Sequence, residues 1–285
     1  MIIYIINQYA SNTAVGDGSK YYYIAKELVK MGHEVYLISA SFTHYVHTPI
    51  NQKGNVYIKL VNGINHVYIR TLNYNNKTSF KRVLNWFLFT YRVSNLYKFI
   101  SRVPNIIIAS SPPPFVFLGA YYLAKKFKVK LFFEIRDFWP LTLIKFGNYS
   151  VWNPLIILMQ LVENFALKKS DAILSSLPFA NEYKNIRNQY KEKYYHLPNG
   201  FDKNELLSKS KIPRNICSAI PKGKFIVGYV GSCGSINALN ILLQSAELLK
   251  NDKSISFVII GRGKGLNELK SEAEKKKLIN IIFIN

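Results

Sequence analysis

The chain has 285 residues, of which 49% are hydrophobic, and a formal net charge of +22. That length suits two ordinary domains, and that apolar content excludes long disorder. Two cysteines, Cys217 and Cys233, are too few for a disulfide framework and suit a reducing compartment.

Residues 2–6 form a short apolar run with no cationic stretch before it. They read as a buried strand and not as a secretion signal. The loop 7–18 carries Gly16-Asp17-Gly18. Tyr21, Ile24, Ala25, Leu28 and Val29 recur at helical spacing, and Gly32 stops that helix. A strand follows at 35–40. Runs at 56–60 and 66–70 flank Asn62-Gly63, a hairpin signal.

Residues 79–103 have a helical pattern rich in aromatics, including Trp86, Phe87, Phe89, Tyr91 and Tyr97, with Arg82, Arg92, Lys98 and Arg102 among them. Two readings fit: a helix lying in a membrane interface, or a core helix with solvated charges. Strand 105–110 ends at Ser111 and three prolines. Helix 115–127 and strand 129–135 follow, then helix 155–169 and strands 172–175 and 194–197.

No segment reaches the ~20 continuous apolar residues of a spanning helix. The nearest, 146–162, is interrupted by Gly147, Asn148, Asn153 and Pro154. A polar linker at 202–223 leads to a second unit with strand 225–230, helix 238–249, strand 256–260, helix 266–277 and strand 281–284. Alternating strands and helices predict an α/β fold with a mainly parallel sheet covered on both faces. The expected domains are residues 1–205 and 206–285.

The charge is unevenly spread. No acidic residue lies between Glu34 and Glu134, while basic residues from Lys53, Lys77 and Lys81 to the Lys125–Lys130 group run through that stretch. Such a domain attracts polyanions, nucleic acid or anionic lipid.

Several clusters carry candidate chemistry. Gly16 and Gly18 before a helix suit a phosphate or sugar hydroxyl at the helix N-terminus, or an ordinary turn. Gly231-x-x-Gly234 and Gly261-Arg262-Gly263 follow neighbouring strands and would let a nucleotide approach closely. Neither is a Walker loop nor the full dinucleotide fingerprint. At the end of strand 129–135 stand Glu134, Arg136 and Asp137, either an internal ion network or a grip on a polyhydroxylated or phosphorylated ligand. His44 and His47 lack further ligands and read as loop residues, so no metal site is expected.

Together these pieces resemble the retaining nucleotide-sugar glycosyltransferases of family 4. The likeness rests on Gly16-Asp17-Gly18 and on the stretches MGHEVYLIS, LPNGFD, FIVGYVGSCG and FVIIGRG, and it covers essentially the whole chain. EIRDFWP, VNGINHVYIRTLNY, RVLNWF and IIIASSPPPF resemble the branch that builds bacterial capsule and O-antigen polysaccharides, including fucosamine-type transferases.

The resemblance implies a GT-B fold, two Rossmann-like domains facing a cleft, the first binding acceptor and the second nucleotide sugar. It implies transfer of a hexosyl or aminosugar group to a polyprenyl-diphosphate-linked acceptor in surface-polysaccharide synthesis, without cofactor or metal. Arg136 and Asp137, with Glu134, would shape the sugar pocket where the wider family has His-Asp. Gly16, Gly18, Gly231, Gly234, Gly261, Arg262 and Gly263 would contact the donor. Arg82, Trp86, Phe89 and Arg92 would meet acceptor and anionic membrane, giving a peripheral protein on the cytoplasmic face of the inner membrane that binds no nucleic acid.

Two departures stand out. The loop GSCGSINALN lacks the family's basic pair, and Arg262 and Lys264 sit one loop further on. The family's Glu-x7-Glu segment would fall beyond residue 285. The second domain is therefore expected to be incomplete, its remainder coming from a continued frame or a second polypeptide, and strand 281–284 to be a thinly covered apolar edge. The alternative reading is a non-catalytic basic α/β module on membrane or nucleic acid, which leaves the glycine loops and EIRDFWP without a purpose.

Overall fold

The structure is a computed structural model. It describes every residue except 17, 49, 51, 52, 75–79, 184, 185, 187, 188, 204–206, 208–210, 235, 236, 264 and 285. Asp17 of the glycine loop, Lys77, the expected helix start at Ser79, Lys264 and part of the expected linker thus lie outside the described residues. The chain divides into two compact units, Met1–Glu205 and Leu206–Asn285.

In the first unit, β1 (Ile2–Ile6) pairs in parallel with β2 (Glu34–Ala40) on one side and β5 (Ile106–Ser110) on the other. β3 (Val56–Val61), β4 (Ile64–Ile69), β6 (Lys130–Ile135), β7 (Ala172–Ser175) and β8 (Tyr194–His196) complete an eight-stranded sheet in the order β3-β4-β2-β1-β5-β6-β7-β8. Only β3 is antiparallel, joined to β4 through Asn62 and Gly63. Both have positive φ, 51° and 78°, the geometry a two-residue hairpin demands.

The strands read as continuous apolar runs because both faces are covered. Tyr4, Ile6, Tyr36 and Ile38 point to one core. Ile3, Ile5, Val35 and Leu37 point to the other, under Tyr21, Tyr22 and Ala25 of α1 (Lys20–Lys30). The first core is roofed by α2 (Phe80–Ser94), α3 (Val116–Phe127) and α5 (Pro154–Lys169).

The aromatic helix is shorter than its pattern predicts. α2 stops at Ser94 and a single 3-10 turn, Leu96–Lys98, follows. Asn95 donates from Nδ2 to the Tyr91 carbonyl (3.0 Å) and ends the ladder. Pro104 disfavours helix at Val103 as well.

The 146–162 segment breaks where its polar residues foretell. A short helix, α4 (Leu141–Gly147), ends at Asn148 with φ 55°. α5 then starts on Pro154, with the Asn153 side chain accepting from the Leu155 amide (2.9 Å). An Asn cap and proline in the first turn are a standard helix start. Among the described residues no helix is long and apolar enough to cross a membrane.

The second unit has α6 (Arg214–Ala219), then β9 (Phe225–Val230), α7 (Asn240–Leu248), β10 (Ile255–Ile260), α8 (Leu266–Lys275) and β11 (Ile281–Ile284). The strands are parallel in the order β11-β10-β9. The expectation for 281–284 needs correcting in part. β11 is an edge, but Ile281 and Ile284 are buried, and Ile281 packs with Phe257 and Leu278. β9 is the barer edge, with Phe225 and Val230 exposed.

Candidate functional site

Sheet order locates the candidate site. From β1 the chain runs outward one way through β2, β4 and β3, and the other way through β5, β6, β7 and β8. The carboxyl ends of β1 and β5 therefore flank a topological switch point, where doubly wound sheets bind ligands. The glycine loop leaves β1 there, Ser111 and the prolines leave β5, and EIRDFWP spans the tip of β6.

The glycine loop is held by its own turns. The Asn12 carbonyl accepts the Val15 and Gly16 amides (3.2 and 2.9 Å). Gly16 pairs with Val46, and a Cβ there would collide with the Tyr45 carbonyl oxygen. Gly18 has φ +72°, a conformation that excludes most side chains. Both glycines are thus required by the loop's shape. That shape leaves the N-terminus of α1 open, since Ser19 makes no side-chain cap and the first turn holds no acid. Such an end favours an anion.

The three charged residues of EIRDFWP have separate surroundings. Glu134 is buried and accepts from Lys20 Nζ at 2.7 Å, and Lys20 also donates to the Leu197 carbonyl (3.2 Å). Asp137 takes two bonds from its own turn, Trp139 Nε1 (3.0 Å) and Thr142 Oγ1 (2.6 Å), and so anchors the start of α4. Arg136 is exposed and has no protein partner among the described residues. Its charge still bears on Tyr21, whose hydroxyl bonds Ser110 Oγ and whose ionisation is pushed up first by burial and then by Glu134. The carboxylates are therefore satisfied structurally, Glu134 by Lys20 and not by Arg136. The guanidinium is what remains available.

Lys20 had no signal in the sequence beyond its place just after the glycine loop, because its partner lies more than a hundred residues away. His66 was also missed. It is buried on β4, with Nδ1 2.6 Å from Asn12 Nδ2 and Nε2 2.9 Å from Ser39 Oγ, and burial lowers its pKa to about 3. The neutral ring accepts from Asn12 and donates to Ser39, and so ties the glycine-loop turn to the sheet. A lone histidine in an apolar strand was its only mark.

The α2 residues require a correction. Trp86 and Phe89 are buried, Trp86 donating from Nε1 to Tyr9 Oη (2.8 Å) and Phe89 lying in the core. Arg82 also donates to Tyr9 Oη (3.2 Å), and Arg92 donates to the Arg70 carbonyl. Positions 82, 86, 89 and 93 form one inward helical stripe, so Trp86 and Phe89 are not membrane contacts. Phe80, Leu84, Phe87 and Tyr91 lie on the opposite stripe and are exposed.

In the second unit the two glycine loops interlock. The Cys233 amide donates to the Arg262 carbonyl (2.9 Å) and the Gly265 amide to the Cys233 carbonyl (3.0 Å). A Cβ on Gly261 would strike the Gly231 carbonyl, and one on Gly263 the Cys233 carbonyl. These two glycines serve loop-to-loop packing. Gly231 faces the Tyr229 hydroxyl, and only Gly234 of this group faces open space. Beside it is a cavity of about 560 Å³ lined by Ser232, Cys233, Gly234, Asn240, Glu268 and Glu272 among others. Its described lining has carboxylates and no Lys or Arg, so it suits hydroxyl donors better than a diphosphate. Arg262 is exposed nearby in sequence. Among the described residues no group of three or more His, Cys, Asp or Glu is placed to hold a metal.

No family model matches the sequence, and no curated protein matches it. Solved structures do match. Sucrose-phosphate synthase from Thermosynechococcus elongatus shares 13% identity over 100% of this chain and 70% of its own, with a TM-score of 0.64. WaaG, a glycosyltransferase involved in lipopolysaccharide biosynthesis, shares 12% over 100% and 70%, with a TM-score of 0.58. HepE from Anabaena in complex with UDP and glucose shares 13% over 99% and 68%, with a TM-score of 0.57. These likenesses give the chain the GT-B fold, built from Rossmann-like units.

Proposed function

We propose that the protein is a retaining glycosyltransferase that moves a hexosyl or aminosugar group from a nucleotide sugar to a lipid-linked acceptor in bacterial surface-polysaccharide synthesis. The observation that carries the reading is Arg136, an exposed guanidinium with no partner among the described residues, at the tip of β6 and on the same sheet edge as the N-terminus of α1, where Ser19 makes no side-chain cap. In the transfer, the bond from the anomeric carbon to the diphosphate breaks, one to the acceptor oxygen forms, and the acceptor hydroxyl's proton passes to the departing diphosphate. The charge left on the diphosphate is the main demand on the protein. Arg136 and the α1 amides meet it without a metal, Lys20 and Glu134 hold α1 against β6, and Asp137 fixes the loop carrying Arg136. Within the second unit, Gly234 opens onto a cavity in which Glu268 and Glu272 would receive the hydroxyls of a nucleoside. The GT-B fold and the UDP in the HepE complex support this reading.

The test is calorimetric titration of the purified chain with UDP, GDP, CDP and dTDP, and of an Arg136→Ala variant with whichever binds. A charge-assisted hydrogen bond contributes about 1.5–3 kcal/mol, so the variant should bind at least about tenfold more weakly with an unchanged melting temperature. No binding to any of the four, or equal binding by the variant, would overturn the proposal.

A further inference from the structure

The surface following Asp137 is unusual. Lys145 is the only charged residue between positions 138 and 162. α4, the turn after it and the outer face of α5 turn much of this apolar material outward. Trp152 is 81% exposed, and Phe146, Tyr149, Leu158 and Leu161 are exposed too. None of the α4 side chains is buried. An apolar pocket of about 250 Å³ opens between the two helices, lined by Ile144, Val151, Ile157 and Leu161 among others. Soluble proteins rarely expose apolar surface this continuous without a partner.

We infer that this helical hairpin is the membrane-docking element of the protein, seated in the interface of an anionic bilayer with Trp152 and Tyr149 at headgroup depth. Charge and residue type select a bilayer over a protein. Between positions 138 and 162 the hairpin offers the headgroups no acid and the exposed Lys145. α5 buries its one acid, Glu163, and ends on the exposed Lys168 and Lys169. The unit behind the hairpin has no acidic residue from position 35 to 133. Anionic headgroups complement such a surface. Tryptophan and tyrosine are the side chains that favour the boundary between hydrocarbon and water. α4 and α5 have 7 and 16 residues, so the pair can lie on a membrane but not span it. The hairpin also begins at Asp137, whose carboxylate accepts from Thr142 on α4. A docked α4 therefore holds Arg136 beside the lipid surface. The link to a lipid-linked acceptor rests on the reading above. The docking itself does not, and it is measured without donor or acceptor.

The experiment is flotation of the full chain with phosphatidylglycerol/phosphatidylethanolamine vesicles and with phosphatidylcholine vesicles, in 0.1 and 0.5 M salt. Wild type should float with the anionic vesicles and retain part of its binding in high salt through the apolar contact. Trp152→Glu with Leu158→Glu should lower partitioning at least tenfold, with far-UV dichroism unchanged. The milder Trp152→Gln should lower it severalfold, and Leu248→Glu, an exposed apolar position in the second unit, should leave it unaltered. Wild-type binding by the hairpin variants, binding abolished by salt, or no flotation at all would overturn the inference. So would a concentration-dependent dimer that the same variants dissolve, since the occupant would then be a second copy.

Discussion

Glu163 offers a quantitative check on the packing of the first unit. Its carboxylate is buried on α5, accepts from Gln160 Nε2 (2.9 Å) and Tyr183 Oη (3.2 Å), and has no cation among its partners. Burial raises its pKa from 4.5 to about 7. The folded chain therefore holds a proton that the unfolded chain has released, and the group's contribution to stability falls as pH rises from about 4.5 to about 7. At ~1.4 kcal/mol per pH unit, the loss is on the order of 3 kcal/mol, complete above pH 7. Glu163→Gln keeps an oxygen that can accept both bonds and cannot ionise. Its stability relative to wild type should grow from near zero at pH 4 to about 3 kcal/mol at pH 8. All three tryptophans, Trp86, Trp139 and Trp152, lie in the first unit, so urea unfolding followed by their fluorescence reports that unit. Parallel pH profiles for variant and wild type would refute the argument. The residue also reaches the candidate site, since Tyr183 packs its ring 4.3 Å from Phe138.

Other substitutions separate structural from functional residues. Lys20→Met strands the buried Glu134 and should cost about 3–5 kcal/mol, with much of that recovered in a Lys20→Met, Glu134→Leu pair; Arg136→Ala should change the melting temperature little. Gly16→Ala pushes a methyl group at the Tyr45 carbonyl and should cost about 1–3 kcal/mol, whereas Gly234→Ala, facing open space, should be nearly neutral in chemical denaturation. His66→Leu leaves the Asn12 amide short of a partner and should cost about 1–3 kcal/mol. Amide hydrogen exchange should then quicken in residues 12–16 before the rest of the sheet.

The sequence is enough to read the alternation of strands and helices, the hairpin at Asn62-Gly63, the glycine loops and the break in the 146–162 segment. Each is written in local chemistry: apolar periodicity, positive-φ residues, an Asn-Pro helix start. It also carried the likeness to a glycosyltransferase family, through the order of its motifs. Packing in three dimensions set what faces what. It joined Lys20 to Glu134 across more than a hundred residues and left Arg136 as the exposed member of EIRDFWP. It turned Trp86 and Phe89 inward, while the hairpin after Asp137 shows its apolar side to solvent. It made Gly261 and Gly263 packing residues, because two backbone loops meet where a Cβ would sit. A helical pattern fixes which residues share a stripe. Only the neighbours packed against the helix decide which stripe is covered, and those neighbours come from remote parts of the chain.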